Sequence, residues 1–343
     1  MKKNLKSIVA ILVVVLLAAV SIVGCQSAPA ASEKPGESVS QPSQATQPAQ
    51  QPAEKKITIG FIAMNMYMTW MQYALEGAKK TAEANGVELI IYDAENKVDK
   101  QASLMEDLIA KKVDAIMTDP INIESLTPMI QEADKAGIPV CTFDRRAEGA
   151  PYFAFVGSDD VLGGKMAAKF IADKLGGKGK VIELVGQLGA SPTIDRGNGF
   201  HEEMKNYPGI EIAFSQSGAF EREKGMSVME DAMQSVGDFD AVFSHNDDMM
   251  MGALQAMKDA GKDLSKIVTI SYDGVPDALK AIQDGLHDAT IQYPVGQAGK
   301  AMQIIIDYLK TKKMPEKKDD KIDPWIITKD NLDSGDFYPE LSK

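Results

Sequence analysis

Short strand-like runs and helix-like runs alternate along this chain from Ile57 onward, and near Val181 the alternation starts again. The first series reads as strands at Ile57–Ala63, Glu88–Tyr92, Val113–Met117 and Ile138–Phe143. Helices fall between them at Trp70–Ala84, Lys100–Lys111 and Ser125–Lys135. The second has strands at Val181–Val185, Glu211–Ser215, Ala241–Ser244 and Ile267–Tyr272, with helices at Gly199–Lys205, Arg222–Met233 and Met249–Ala260. Strands separated by helices of this length imply βαβ units and parallel sheets covered on both faces. Gly86, Gly137 and Gly261 follow helical patterns, where a left-handed cap is wanted. Val113–Met117 can be laid over Phe239–Phe243, and Ile138–Asp144 over Ile267–Asp273, at offsets of 126 and 129 residues. Two similar doubly wound α/β lobes are the architecture expected.

In open parallel sheets, ligands sit beyond the carboxyl ends of the strands. Polar residues cluster at those ends here: Met64-Asn65, Asp119, Asp144-Arg145-Arg146, Asn246-Asp247-Asp248 and Asp273. Facing strand ends from two lobes make a cleft walled by carboxylates, amides and guanidiniums. Such a wall suits a neutral polyhydroxylated molecule, since each hydroxyl can donate to a carboxylate and accept from Arg or Asn. An anion would prefer the guanidiniums without the aspartates.

The rest of the chain is organised for export. Lys2, Lys3 and Lys6 precede an apolar run from Ile8 to Val20, which is short for a bilayer core of about 30 Å. A basic start, a short apolar stretch and a small residue before the cut describe a secretory signal over residues 1–24. Cys25 directly after Gly24 resembles the bacterial lipobox, with lipidation of Cys25 and attachment to the membrane as its consequence; a plain signal with a chance cysteine is the alternative. Residues 25–56, rich in Ser, Ala, Pro and Gln, read as a lipidated cysteine and disordered tether. Removing residues 1–24 takes three lysines and no acid from a formal charge of −12, leaving −15. With an acidic sum and no basic run beyond the first six residues, nothing would displace phosphate counterions, so no nucleic acid is expected. Cys141, in an apolar stretch, reads as a buried thiol.

Six stretches together are similar to one family. They are Cys141-Thr-Phe-Asp-Arg-Arg-Ala147, Gly157-Ser-Asp-Asp-Val-Leu-Gly-Gly164, Ile194-Asp-Arg-Gly-Asn-Gly-Phe200, Ser215-Gln-Ser-Gly-Ala-Phe220, His245-Asn-Asp-Asp-Met249 and Tyr272-Asp-Gly-Val-Pro-Asp277. In order and spacing, from about Ile57 to Gly299, they resemble the ribose- and galactose-type sugar-binding proteins that feed ABC importers, a type I periplasmic-binding fold. The resemblance implies a cleft closed by hinge bending, with lobe crossings near Ser158–Asp159, Gln292–Tyr293 and Asp323–Pro324. The lobes would then comprise residues 57–158 plus 293–323 and residues 159–292 plus 324–343.

By the same resemblance, Asp144 and Arg145 hold hydroxyls from the first lobe, and Arg196, Asn246, Asp273 and Gln292 do so from the other lobe and the hinge. Phe220 offers a flat face to the ring. Trp70 and Met71 fall where the family places an aromatic pair, and Met64 and Asn65 stand at the end of the first strand. The chain departs from the ribose binders at Met68, where they carry Asn, and at Met71, where they carry the second aromatic. Both changes argue for a ligand with different hydroxyl placement or a more apolar edge.

Other readings compete at single sites. Met64, Met66, Met68 and Met71 would suit copper(I), but Met is also a common pocket filler. His245 beside Asp247 and Asp248 could ligate a metal, or simply belong to a strand-end loop. Gly186-Gln-Leu-Gly-Ala-Ser191 could cradle a phosphate, or be a cleft loop without clustered donors. Asp144-Arg145 could be a structural ion pair. Neither a metal nor a cofactor is expected. No Ser/His/Asp spacing, GxSxG or HExxH is present, so no catalytic residue is expected either. The function expected is that of a monomeric extracytoplasmic lipoprotein delivering a sugar to an ABC permease. The alternative is a sensory module for a histidine kinase or chemoreceptor.

Overall fold

The computed structural model describes residues 56–332; the signal segment, Cys25 and the tether up to residue 55 lie outside the described residues, as do residues 333–343. The first series gives β1 (Thr58–Ala63), α1 (Thr69–Ala84), β2 (Glu88–Asp93), α2 (Val98–Ala110), β3 (Ala115–Thr118), α3 (Thr127–Lys135), β4 (Val140–Phe143) and β5 (Ala154–Ser158). The second gives α4 (Asp160–Leu175), β6 (Lys178–Val185), α5 (Ser191–Met204), β7 (Gly209–Ser217), α6 (Arg222–Val236), β8 (Ala241–Ser244), α7 (Asp247–Asp259), β9 (Val268–Asp273), α8 (Pro276–Gln283) and β10 (Ala289–Gln292). The chain then returns through α9 (Gln297–Thr311), β11 (Asp319–Ile322) and β12 (Ile326–Thr328).

Two six-stranded sheets result, in the orders β11-β5-β4-β3-β1-β2 and β12-β10-β9-β8-β6-β7. Strand by strand the orders correspond, so the repeat read from the sequence is a repeat of topology. The sheets differ at one edge: β11 runs parallel to β5, whereas β12 runs antiparallel to β10. Every residue of β3, β4 and β8 is buried, as expected of parallel strands covered on both faces. Cys141 of β4 is among them, and burial pushes its thiol up to about 12. Gly86, Gly137 and Gly261 take φ of 68°, 74° and 73°, the left-handed caps their positions called for. The chain passes between lobes after β5, after β10 and between β11 and β12, forming a three-crossing hinge.

Several elements depart from the sequence reading, among them α5, β11 and β12. Helix α5 starts at Ser191, not Gly199. Gly197 and Gly199 look like helix breakers, but α4 lies so close that a Cβ on Gly199 would sit 2.0 Å from the Val161 carbonyl oxygen. Tertiary contact here overrides local propensity. Strand β11 forms from the charged run Asp319–Ile322 and β12 from three residues, Ile326–Thr328, neither with hydrophobic alternation, because each needs only one partner at a sheet edge.

Candidate functional site

The carboxyl ends of β1, β3, β4, β8 and β9 converge on a cleft between the lobes holding about 370 Å³ of empty space, its mouth included. Met64, Trp70, Met71, Asp144, Arg145, Arg196, Phe220, Asn246 and Asp273 line it, all of them expected from the sequence. Met68, Asp119, Pro192 and Tyr293 line it too. Asp119 is one of the strand-end polar residues; Tyr293 is marked in the sequence only as a hinge crossing, not as a lining residue. Asn65 and Gln292 are buried behind the lining. Asn65 Oδ1 accepts the Met68 N–H at 3.1 Å, and Gln292 Nε2 donates to the Tyr293 carbonyl at 3.1 Å.

Arg145 extends one Nη to the Ile121 carbonyl at 2.8 Å and holds its Nε 3.7 Å from Asp119 and 3.6 Å from Asp144. Asp144 accepts from the Tyr293 hydroxyl at 2.5 Å. Arg196 donates from Nε to Asp160 at 2.9 Å and lies 3.8 Å from Asp273. The Phe220 ring is near both cations, its centre 5.7 Å from the Arg145 guanidinium carbon and 5.9 Å from that of Arg196. Trp70 packs on Tyr293 at 5.2 Å between centroids. Asn246 has a second task, because its Oδ1 caps α7 by accepting from Met249 N–H and its Nδ2 reaches the Phe220 carbonyl. One lone pair and one N–H stay available for a ligand.

Three lining residues other than glycine occupy the left-handed region: Asp144 at φ 59°, Phe220 at 66° and Asp273 at 121°. Such conformations persist where surrounding structure enforces them, and they cluster at ligand sites. Asp247 enforces one. Its carboxylate accepts from Ser271, Thr290 and the backbone N–H groups of Gly274 and Val275, which pins the corner after Asp273. Asp247 is thus fully engaged in fold contacts, and His245 Nε2 pairs with Glu183 at 3.0 Å.

Among the described residues, several buried polar atoms of the cleft have no hydrogen-bond partner within the protein: both Asp119 oxygens, Arg145 Nε and Trp70 Nε1, with Asn65 Nδ2 and Gln292 Oε1 behind them. Leaving such a group unmatched costs about 1–3 kcal/mol. Burial, reinforced by the negative Asp144 and opposed by Arg145, pushes the Asp119 carboxyl well above the usual range. Burial does the same to Asp273, with Arg196 opposing and Asp247 adding to the rise. Buried donors and acceptors lining one cleft are arranged for a ligand that both donates and accepts.

The family model for the periplasmic binding protein domain matches residues 59–313. The chain belongs to the periplasmic binding protein family. Among curated relatives, this periplasmic binding protein is 40% identical to the ribose import binding protein of Bacillus subtilis (strain 168), across 80% of this chain and 88% of that one. It is 38% identical to the galactofuranose-binding protein of Escherichia coli (strain K12), across 76% and 85%. A crystal structure of a galactofuranose binding protein superimposes with a TM-score of 0.78 at 36% identity, covering 80% of this chain and 96% of that chain.

The two lobes of this binding protein touch across the cleft mouth. Arg146, next to Arg145, forms a two-pronged ion pair with Asp195, next to Arg196, and its backbone N–H donates to Ser191 Oγ at 3.1 Å. Gln187 bridges to Arg145 and to Asn96, both at 3.3 Å, and Ile123 N–H donates to the Gly189 carbonyl at 3.1 Å. Separating the lobes breaks all of these.

Proposed function

We propose that this protein captures a monosaccharide, a pentose, hexose or related polyol, in the interlobe cleft and delivers it to an ABC permease. The observation that carries this reading is the composition of one cleft. Asp119, Asp144 and Asp273 line it together with Arg145, Arg196 and Asn246 and with the aromatic side chains of Trp70 and Phe220. Hydroxyls donate to the carboxylates and accept from the cations, while ring C–H faces lie on aromatic surface. Sugar binds one lobe, the other closes, and the closed form is what a permease receives. Roughly five to seven hydrogen bonds to charged groups, each about 1.5–3 kcal/mol gross, leave about −8 to −10 kcal/mol after ordering costs, a Kd from about micromolar downward. Catalysis forms no part of this reading. The short apolar run before Gly24-Cys25 supports export and a lipid on Cys25 that holds a monomer at the outer face of the membrane.

A thermal-shift screen of the chain lacking residues 1–24, against monosaccharides, cyclitols, nucleosides and soft metals, tests the reading. A ligand at about a hundredfold over its Kd adds about 2.7 kcal/mol to the folded state, so one sugar or polyol is expected to raise the midpoint. No response to any sugar, with a response to nucleosides or copper(I), would replace it.

The Arg146–Asp195 pair makes a second expectation. Its side chains are only 25% and 14% exposed, so the two-pronged contact favours closure and hence binding. Asp195→Ala is expected to raise the sugar Kd about tenfold, about 1.4 kcal/mol, and the loss should shrink at high salt. Calorimetric titration at two ionic strengths checks both, and an unchanged Kd removes the pair from the closing mechanism.

A further inference from the structure

Arg196 is gripped from several sides. Its Nε donates to Asp160 Oδ1 at 2.9 Å and one Nη to the His245 carbonyl at 2.5 Å, while the Tyr272 ring centre lies 3.7 Å and that of Tyr293 4.7 Å from the guanidinium carbon. Asp160 is 4% exposed and does not line the cleft. It is the first residue of α4, immediately after the first crossing between the lobes. A guanidinium fork without its counter-ion can swing; with one carboxylate on Nε, its other nitrogens are aimed.

We propose that Asp160 is a positioning residue for ligand capture, whose carboxylate holds the Arg196 fork toward the cleft and ties it to the hinge end of α4. This rests on the sugar-capture reading for its consequence, but the hold on Arg196 is a contact within the protein itself and can be read without any sugar. The charged and titratable groups facing Asp160 are Arg196 and Asp195 of α5, Asp144 after β4, Tyr272 of β9 and Tyr293 after β10. Burial pushes its carboxyl up to about 6, opposed by Arg196 and reinforced by Asp144 and Asp195. Ligand favours the charged form that aims Arg196. The contribution is therefore complete above about pH 6 and is lost as pH falls through that value.

Asp160→Asn keeps the shape and removes the charge. The probe is whichever of D-ribose, L-arabinose, D-galactose and myo-inositol gives the largest thermal shift with the unaltered protein. Above pH 7.5 the variant is expected to bind it about tenfold more weakly. At pH 5 the two Kd values should converge, because the native carboxyl is then neutral as well. Asp119 and Asp273 are present in both proteins, so the two are compared as a ratio of Kd values at each pH. A ratio near one throughout, or a ratio independent of pH, overturns the proposal, the second result marking a merely structural role.

A second measurement needs no ligand. The Arg196 Nε–Hε NMR signal, assigned by its loss in Arg196→Lys, is expected to shift through about pH 6 in the native protein and not in Asp160→Asn. If no sugar binds but this titration is seen, the hold on Arg196 stands and the sugar-capture reading fails. A signal indifferent to both pH and the substitution overturns the hold itself.

Discussion

Asp144→Ala is expected to raise the Kd for the captured sugar at least a hundredfold. Asp144 directly follows β4 and lines the cleft, one oxygen engaged by the Tyr293 hydroxyl and the other 3.6 Å from Arg145 Nε. Its loss removes the acceptor for sugar hydroxyls, leaves the buried Tyr293 hydroxyl only the longer 3.4 Å contact to the backbone carbonyl of residue 144, and lets Arg145 relax toward Asp119. Two hydrogen bonds to a charged group, at about 1.5–3 kcal/mol each, exceed the roughly 2.7 kcal/mol that a hundredfold requires. Alanine is also strained at φ 59°, whereas asparagine tolerates that region. Asp144→Asn is therefore the cleaner companion, with a smaller loss of about tenfold. Calorimetric titration with a thermal melt of the unliganded protein separates binding from folding. A Kd unchanged in the alanine variant would remove Asp144 from the site.

Gly164→Ala is expected to destabilise the protein by about 3 kcal/mol, the upper end for overpacking, and to weaken binding as well. A Cβ at Gly164 would stand 2.1 Å from the Arg196 carbonyl oxygen and 2.8 Å from the Phe200 nitrogen. Both are backbone atoms of α5, which no side-chain rotation can relieve, so α4 and α5 must move apart. Arg196 and its Asp160 partner lie across that same contact, and the shift reaches the cleft. Gly176→Ala is the control. That glycine closes α4 at φ 63° with nothing within 4 Å of an added Cβ, so only the left-handed penalty of about 1–2 kcal/mol applies. A thermal melt in which Gly164→Ala is no less stable than Gly176→Ala would contradict the close packing of α4 on α5.

Much of this molecule is local in origin. Strands buried on both faces need continuous apolar runs, and helices between them need room to cross back, so β1 through β4 and β6 through β9 can be read from the chain. Their equal spacing gives two lobes, and the polar residues that follow each strand must lie at its carboxyl end. That places Asp119, Asp144, Asn246 and Asp273 at one cleft without further information.

What only the tertiary structure decided is which way side chains turn and what meets across the lobes. Asn65 and Gln292 sit at strand ends yet bond to their own neighbours, while Tyr293, one residue on, fills the cleft. The start of α5 at Ser191 depends on glycines that look like breaks until α4 is packed against them. Arg196 with Asp160, and Arg146 with Asp195, are partners 36 and 49 residues apart. Periodicity reports burial, which is a property of each segment. Orientation and pairing are set by groups that only folding brings within bonding distance.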